Sequence, residues 1–162
     1  MNQYVEALDR CVNFGDILEV VRESVKETLG LWRAGLSLYL AELPLNVGAF
    51  HEVGSNIIVM NRLLLDIVAK AARSKRELNA YVYSILLHEY LHALGHIEEG
   101  EVRSLVYKVS NATFGKGHPA TEMAVNGPLT YFPQVLVPGG RSGQGGFEVV
   151  RDFDRANQSY IM

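Results

Sequence analysis

The stretch HEYLH, residues 88–92, places two imidazoles and a carboxylate within five residues of one another. It lies in a segment whose apolar residues would face every side of a helix, so a helix here should be buried. On that helix His88 and His92 lie one turn apart and present their rings on the same face. Because a buried polar group without partners costs about 1–3 kcal/mol, these residues indicate a site rather than ordinary core packing.

The spacing H-E-x-x-H is typical of a zinc site on a helix. Two neutral imidazoles bind one ion, and zinc lowers the pKa of a bound water to about 7. Glu89 is too close in sequence to be a third ligand and instead faces that water, whose proton it takes and passes to a leaving group. The stretch therefore predicts a hydrolytic zinc site with His88 and His92 as ligands and Glu89 as general base. The alternative is a buried hydrogen-bonded network without a metal.

A third protein ligand is required, and the sequence offers several candidates. An unbroken helix would separate positions 88 and 96 by about 12 Å along its axis, so His96 can bind the same ion only if the chain bends at Gly95. Glu98 is favoured, because a tight turn at Gly95 would fold it back toward the metal. The further candidates, each a solvated side chain if it is not a ligand, are His96, Glu99, Glu101 and Glu122.

The segment HEYLHALGHIEE, residues 88–99, resembles the zincin metallopeptidases. Its layout H-E-x-x-H-x-x-G-x-x-E is similar to the metzincin pattern, which ends in His or Asp, and to small single-domain bacterial and archaeal zincins in which an acidic pair follows the glycine. The resemblance is specific over residues 88–98 and loose over about 36–112. It implies that His88 and His92 bind zinc and that Glu89 is the general base, with Glu98 at the position of the third ligand.

The same resemblance implies a fold and a binding mode. Zincins have a twisted sheet with the active-site helix beneath it, and the substrate lies along an edge strand of that sheet. Metzincins also place a methionine turn beneath the zinc, for which Met123 is the candidate here, although core packing is its simpler role. The segment 47–54 is the candidate edge strand, with an ordinary hairpin edge as the alternative.

Apolar periodicity predicts the elements that would hold the site. A strand over 36–45 is followed by a hairpin over 46–61 with a Gly-Ser-Asn turn, and the tail after residue 146 is a last strand or a short helix. Five glycines in 138–146 indicate a mobile loop or linker. Helices are predicted over 2–30 with a stop at Gly30, 62–73 with Asn61 as cap, 77–94 with Gly95 as stop, and 98–114. Helices flanking a small hairpin-bearing sheet indicate an α+β fold.

The length and composition of the chain predict one globular domain, 1–162, since 48% of its residues are apolar and 20% are charged. A net charge of −3 gives no basic excess for binding nucleic acid. The single cysteine, Cys11, cannot form an intrachain disulfide and is expected to be a small buried group. No signal peptide and no run long enough to span a bilayer are recognisable, so we expect a cytoplasmic protein that does not bind membranes.

Three functions compete. The favoured one is a zinc-dependent hydrolase, a metallopeptidase acting on a peptide or protein, with His118, Tyr131 and Tyr90 as candidate oxyanion donors whose simpler role is packing. A metal-dependent ribonuclease is the second, against which the net charge and Glu89 count. The third is a non-enzymatic, metal-stabilised binding protein. Structural zinc sites often use cysteine, and the chain has only one. The oligomeric state is left open.

Overall fold

A computed structural model describes residues 2–132 and 146–155 of the chain. In these residues the helices, α1 to α6 in chain order, are Gln3–Arg10, Phe14–Leu29, Arg62–Ala71, Lys75–Ala93, Glu99–Phe114 and Pro119–Asn126. The strands, β1 to β4, are Ser37–Ala41, Ala49–His51, Ile57–Asn61 and Glu148–Val149. The predicted α+β class is confirmed. The glycine-rich segment 138–146, predicted to be a mobile loop or linker, lies outside the described ranges except for its last residue.

The sheet has the order β2-β3-β1-β4. Strands β1 and β3 are parallel, whereas β2 and β3 form the predicted antiparallel hairpin and β4 pairs antiparallel with β1. The hairpin therefore leaves β2, which lies in the segment 47–54, at one edge of the sheet. The tail after residue 146 supplies the predicted strand as the short β4, and its residues 156–162 lie outside the described ranges.

Helix α4 lies in the middle of the core, as its apolar sequence predicted. Its residues Leu86, Leu87, Tyr90 and Leu91 are completely buried. The helix contacts α2, α5 and α6 and reaches the sheet at β2. Among the described residues, none of the helices combines the length and the hydrophobicity that crossing a bilayer requires.

Asn61, the last residue of β3, is fully buried and organises the chain between β1 and β2. Its Oδ1 accepts a hydrogen bond from the backbone N–H of Leu63 at 3.0 Å, which is the predicted cap of α3, and another from that of Leu43 at 3.2 Å. Its Nδ2 donates to the carbonyls of Leu43, Pro44 and Val47 at 2.8–3.2 Å. One amide thus fixes the segment that leads into the edge strand.

Substitution Asn61→Asp keeps the shape and the capping oxygen but removes both N–H donors. Three carbonyls would then face a carboxylate, so we expect the free energy of unfolding in urea to fall by about 2–4 kcal/mol. The control is Asn56→Asp, since the exposed Asn56 donates to one carbonyl, that of Gly35. It should lose less than about 1 kcal/mol. Equal losses in the two variants would contradict this account of Asn61.

His118 precedes α6 and caps it, because its Nδ1 accepts a hydrogen bond from the backbone N–H of Ala120 at 3.1 Å. Its ring stacks on Phe114, with centroids 4.5 Å apart and planes inclined by 18°. Its Nε2 is buried and has no partner among the described residues. Burial lowers the pKa of His118 to about 4; the charge of Arg76 acts in the same direction and that of Asp9 opposes it.

Stability should therefore depend on pH through His118, whose pKa in the unfolded chain is near 6.5. Above pH 6.5 both states hold a neutral imidazole, so its contribution is constant. As the pH falls from 6.5 toward 4, the unfolded chain binds a proton that the folded chain does not, and stability is lost. Between pH 7 and pH 4.5 the loss amounts to about 2–3 kcal/mol.

The measurement is urea denaturation of the wild type and of His118→Asn at those two pH values. The asparagine oxygen can still cap α6 but does not titrate in this range. We expect the variant to lose about 2–3 kcal/mol less than the wild type over the same interval. Equal losses would mean that the folded protein protonates His118 readily.

Candidate metal centre

The two histidines of α4 face a carboxylate from the start of α5. The ring centroids of His88 and His92 are 5.0 Å apart, on one face of the helix. The carboxylate of Glu99 places Oε1 2.5 Å from Nε2 of His92 and Oε2 3.2 Å from Nε2 of His88. One ligand atom from each of the three side chains lies within 4.8 Å of the other two. The residue that joins the predicted pair of histidines is therefore Glu99.

A backbone hydrogen bond fixes which nitrogen of His92 faces this group. Its Nδ1 lies 2.7 Å from the carbonyl oxygen of His96, and since that oxygen can only accept, Nδ1 carries the donated proton. The other nitrogen, Nε2, is turned toward Glu99. Metal-binding histidines are typically oriented in this way, with one nitrogen held by a carbonyl and the other directed at the ion.

Glu98, the favoured third ligand, is not brought to the histidines. It is the N-cap of α5, and its two carboxylate oxygens accept hydrogen bonds from the backbone N–H groups of Gly100 at 2.7 Å and Glu101 at 2.9 Å. Gly95 does permit the predicted turn after α4, with a φ of 110° that favours glycine. The residue that this turn brings back toward α4 is one position later than predicted. It is Glu99, in the first turn of α5, and not Glu98.

His96, Glu101 and Glu122 also lie outside the group of His88, His92 and Glu99. The ring of His96 is turned away, and its Nδ1 lies 2.8 Å from Oε1 of Glu101. Glu122, on α6, lines a separate depression. His96 thus supports the site through its carbonyl oxygen, which orients the ring of His92, and its imidazole does not join the group.

Glu89 is buried, with 6% of its surface exposed, yet its side chain lines the same cleft as His88 and Glu99. No described residue donates a hydrogen bond to its carboxylate. Burial raises the pKa of Glu89 to about 8, and the neighbouring charge of Glu99 adds to the effect. A buried carboxyl group that titrates near neutrality and faces a cleft has the properties of a general base or acid.

The cleft has a volume of about 500 Å³ and lies between α4, α5, α6 and the edge of the sheet. Gly48 and Ala49, at the start of the edge strand, form one side, while Met123 from α6 lies in its floor. Met123 is 1% exposed and its Sδ contacts Oγ of Ser84 at 3.8 Å. The candidate methionine therefore lies beneath the cleft on a helix, not on a turn.

The three candidate oxyanion donors do not line this cleft. The hydroxyl of Tyr90 accepts a hydrogen bond from the backbone N–H of Arg33 at 2.8 Å, and that of Tyr131 lies 3.4 Å from Oε2 of Glu77. His118 caps α6. One polar residue of the cleft that the sequence did not reveal is Arg103 on α5.

The donor set fits a zinc ion. Two imidazole nitrogens and one glutamate oxygen are a ligand set of catalytic zinc sites, which keep a further position open. Ligand atoms around a tetrahedral zinc with bonds of about 2.0 Å are about 3.3 Å apart. From one oxygen of Glu99, Oε1, Nε2 of His92 is 2.5 Å away and Nε2 of His88 is 3.4 Å away, so small side-chain adjustments bring this oxygen to that spacing from both rings. Burial works to raise the pKa of Glu99, but the two histidines hold it below its usual range, so that the carboxylate is ionised.

If Glu99 is a ligand, Glu99→Gln should lower the affinity for zinc by about 100-fold or more, measured by competition with a chromophoric chelator. The matched control is Glu98→Ser, which removes the adjacent carboxylate but keeps a good N-cap. It should bind zinc within about threefold of the wild type. A large loss in the serine variant with none in the glutamine variant would restore Glu98 as the ligand.

Comparisons of the chain with protein-family models, with curated proteins and with solved structures found no match.

Proposed function

We propose that this protein is a zinc-dependent hydrolase, a zincin-like metallopeptidase in which Glu89 is the general base. The observation that carries the proposal is the position of Glu89. Its buried carboxylate has no hydrogen-bond donor among the described residues, and it lies in an open cleft next to a convergent group of two histidines and a glutamate. Burying a carboxylate in this way costs stability, which favours a chemical role over a structural one.

A zinc ion held by His88, His92 and Glu99 would polarise a substrate carbonyl and activate water for attack on it. Glu89 would accept the proton of the attacking water and deliver it to the leaving amine. Because Glu89 and His88 are neighbours on a helix fixed by the core, their separation cannot relax. The carbonyl of His96 holds the His92 ring in the orientation that the site requires.

The edge strand supports a peptide as the substrate. Within the described ranges one edge of β2 is unpaired, and Gly48 and Ala49 at its start line the cleft, so an extended peptide can pair with this edge while its backbone passes the site. Gly48 lies close to α4, since a Cβ at this position would be 3.1 Å from Cδ1 of Ile85. This small residue keeps the edge next to the active-site helix. A sheet edge that lies beside the helix of the two histidines, with a cleft between them, supports the proposal of a zincin-like enzyme.

Substitution Glu89→Gln tests the proposal directly. We expect the variant to retain zinc, measured by elemental analysis of protein purified without added metal. Its rate of hydrolysis of an unfolded protein substrate should fall by about 10²–10⁴-fold, because the amide cannot accept the proton.

The control is Glu101→Gln, which changes the charge equally at an exposed position whose side chain contacts the ring of His96. It should keep both zinc and most of the activity. Loss of zinc in Glu89→Gln would make Glu89 a structural partner of the site. Cleavage of RNA that survives in Glu89→Gln would favour the ribonuclease, and zinc without hydrolysis of either polymer would favour a binding protein.

A further inference from the structure

Arg103 is the one arginine or lysine among the described residues that line the cleft. It lies four residues after Glu99 on α5, so the two side chains share a face of the helix. No carboxylate in the described ranges lies within ion-pair distance of its guanidinium. The cleft thus contains an unpaired, permanently charged group beside the candidate metal ligands.

That charge opposes the binding of a cation. The side chain of Arg103 lines the same cleft as His88 and Glu99, so its positive charge lies near the candidate metal ligands. A guanidinium at this position would repel a metal ion. Arg103 is solvent-exposed, and an anion that binds between its guanidinium and a metal ion would be attracted by both positive charges.

The chemistry of the guanidinium and of the proposed substrate indicates the kind of anion. A carboxylate is the anionic group that peptides carry, both at the C-terminus and on acidic side chains. The planar fork of a guanidinium pairs with both oxygens of a carboxylate.

We propose that Arg103 is the specificity-determining residue of the cleft and selects peptides that carry a carboxylate close to the scissile bond. This inference rests on the proposed function. The carboxylate is either the free C-terminus of a short peptide or the side chain of an aspartate or glutamate. The apolar lining of the cleft includes Val106, Met123 and Ala124, which would accept an apolar neighbour of that carboxylate. A volume of about 500 Å³ suits a few residues of an extended peptide.

The test uses zinc-loaded Glu89→Gln protein, which should bind peptides without cleaving them, and isothermal titration calorimetry. Two pairs of short N-acetylated peptides separate the sources of the carboxylate. One pair ends in a free carboxylate or its amide; the other is amidated and contains an internal glutamate or glutamine. We expect the acidic member of at least one pair to bind about tenfold more tightly than its neutral partner, and the preference to weaken at high salt.

The preference should disappear when Arg103→Met is added and should persist when Lys108→Met is added. Lys108 is exposed on the same helix outside the cleft, so its removal changes the net charge equally. Zinc content and circular dichroism of each variant show that site and fold are intact. In protein that retains Glu89, Arg103→Met should raise KM for the preferred acidic peptide about tenfold.

The outcomes separate the two proposals. Wild-type protein that holds no zinc overturns the metal centre and this inference together. Zinc-loaded protein that binds acidic and neutral peptides equally, or that binds neither, overturns the role of Arg103 and leaves the metal centre standing. A preference that survives Arg103→Met also overturns it.

Discussion

The burial of α4 is the constraint on which the rest of the structure depends. The helix is at once the centre of the core and the carrier of His88, Glu89 and His92, so its apolar residues must be enclosed while these three remain accessible on one face. The surrounding helices and the edge of the sheet enclose the apolar sides and leave that face open. Because a packed core deforms little, the positions of the imidazoles and the carboxylate are set by packing that also stabilises the fold. The site therefore needs no separate scaffold.

How far the sequence could predict this arrangement depends on the range of each interaction. The spacing of His88 and His92 on a helix, and the cap at Asn61, are local and follow from helix geometry. Glu98 and Glu99 differ by one residue across a turn, and distance from Gly95 alone favours Glu98. The start of α5 imposes a second demand, because its backbone N–H groups need an acceptor. Glu98 satisfies two of them, and this competes directly with metal binding.

Residues that act through tertiary contacts leave weaker signals in the sequence. The hydrogen bonds of Asn61 to residues 43–47 join segments that the sequence places in different elements. Arg103 carries no signal of its own in the sequence, because a lone arginine on an amphipathic helix is most often a solvated charge. Its position one turn after Glu99 becomes informative only when Glu99 is known to face the cleft. Knowledge of the third carboxylate would therefore have pointed to Arg103.

Helix α5 combines three electrostatic roles in little more than one turn. Glu98 satisfies the N–H groups at its start, Glu99 faces the histidines, and Arg103 supplies the opposite charge further along the same face. The positive end of the helix dipole favours ionised carboxylates in the first turn, which makes this end of a helix a suitable place for an anionic metal ligand. The same dipole does little for Arg103, which lies beyond the first turn, so its charge remains available to a ligand. A single helix terminus thus places the carboxylate that faces the two histidines one turn away from a guanidinium of opposite charge.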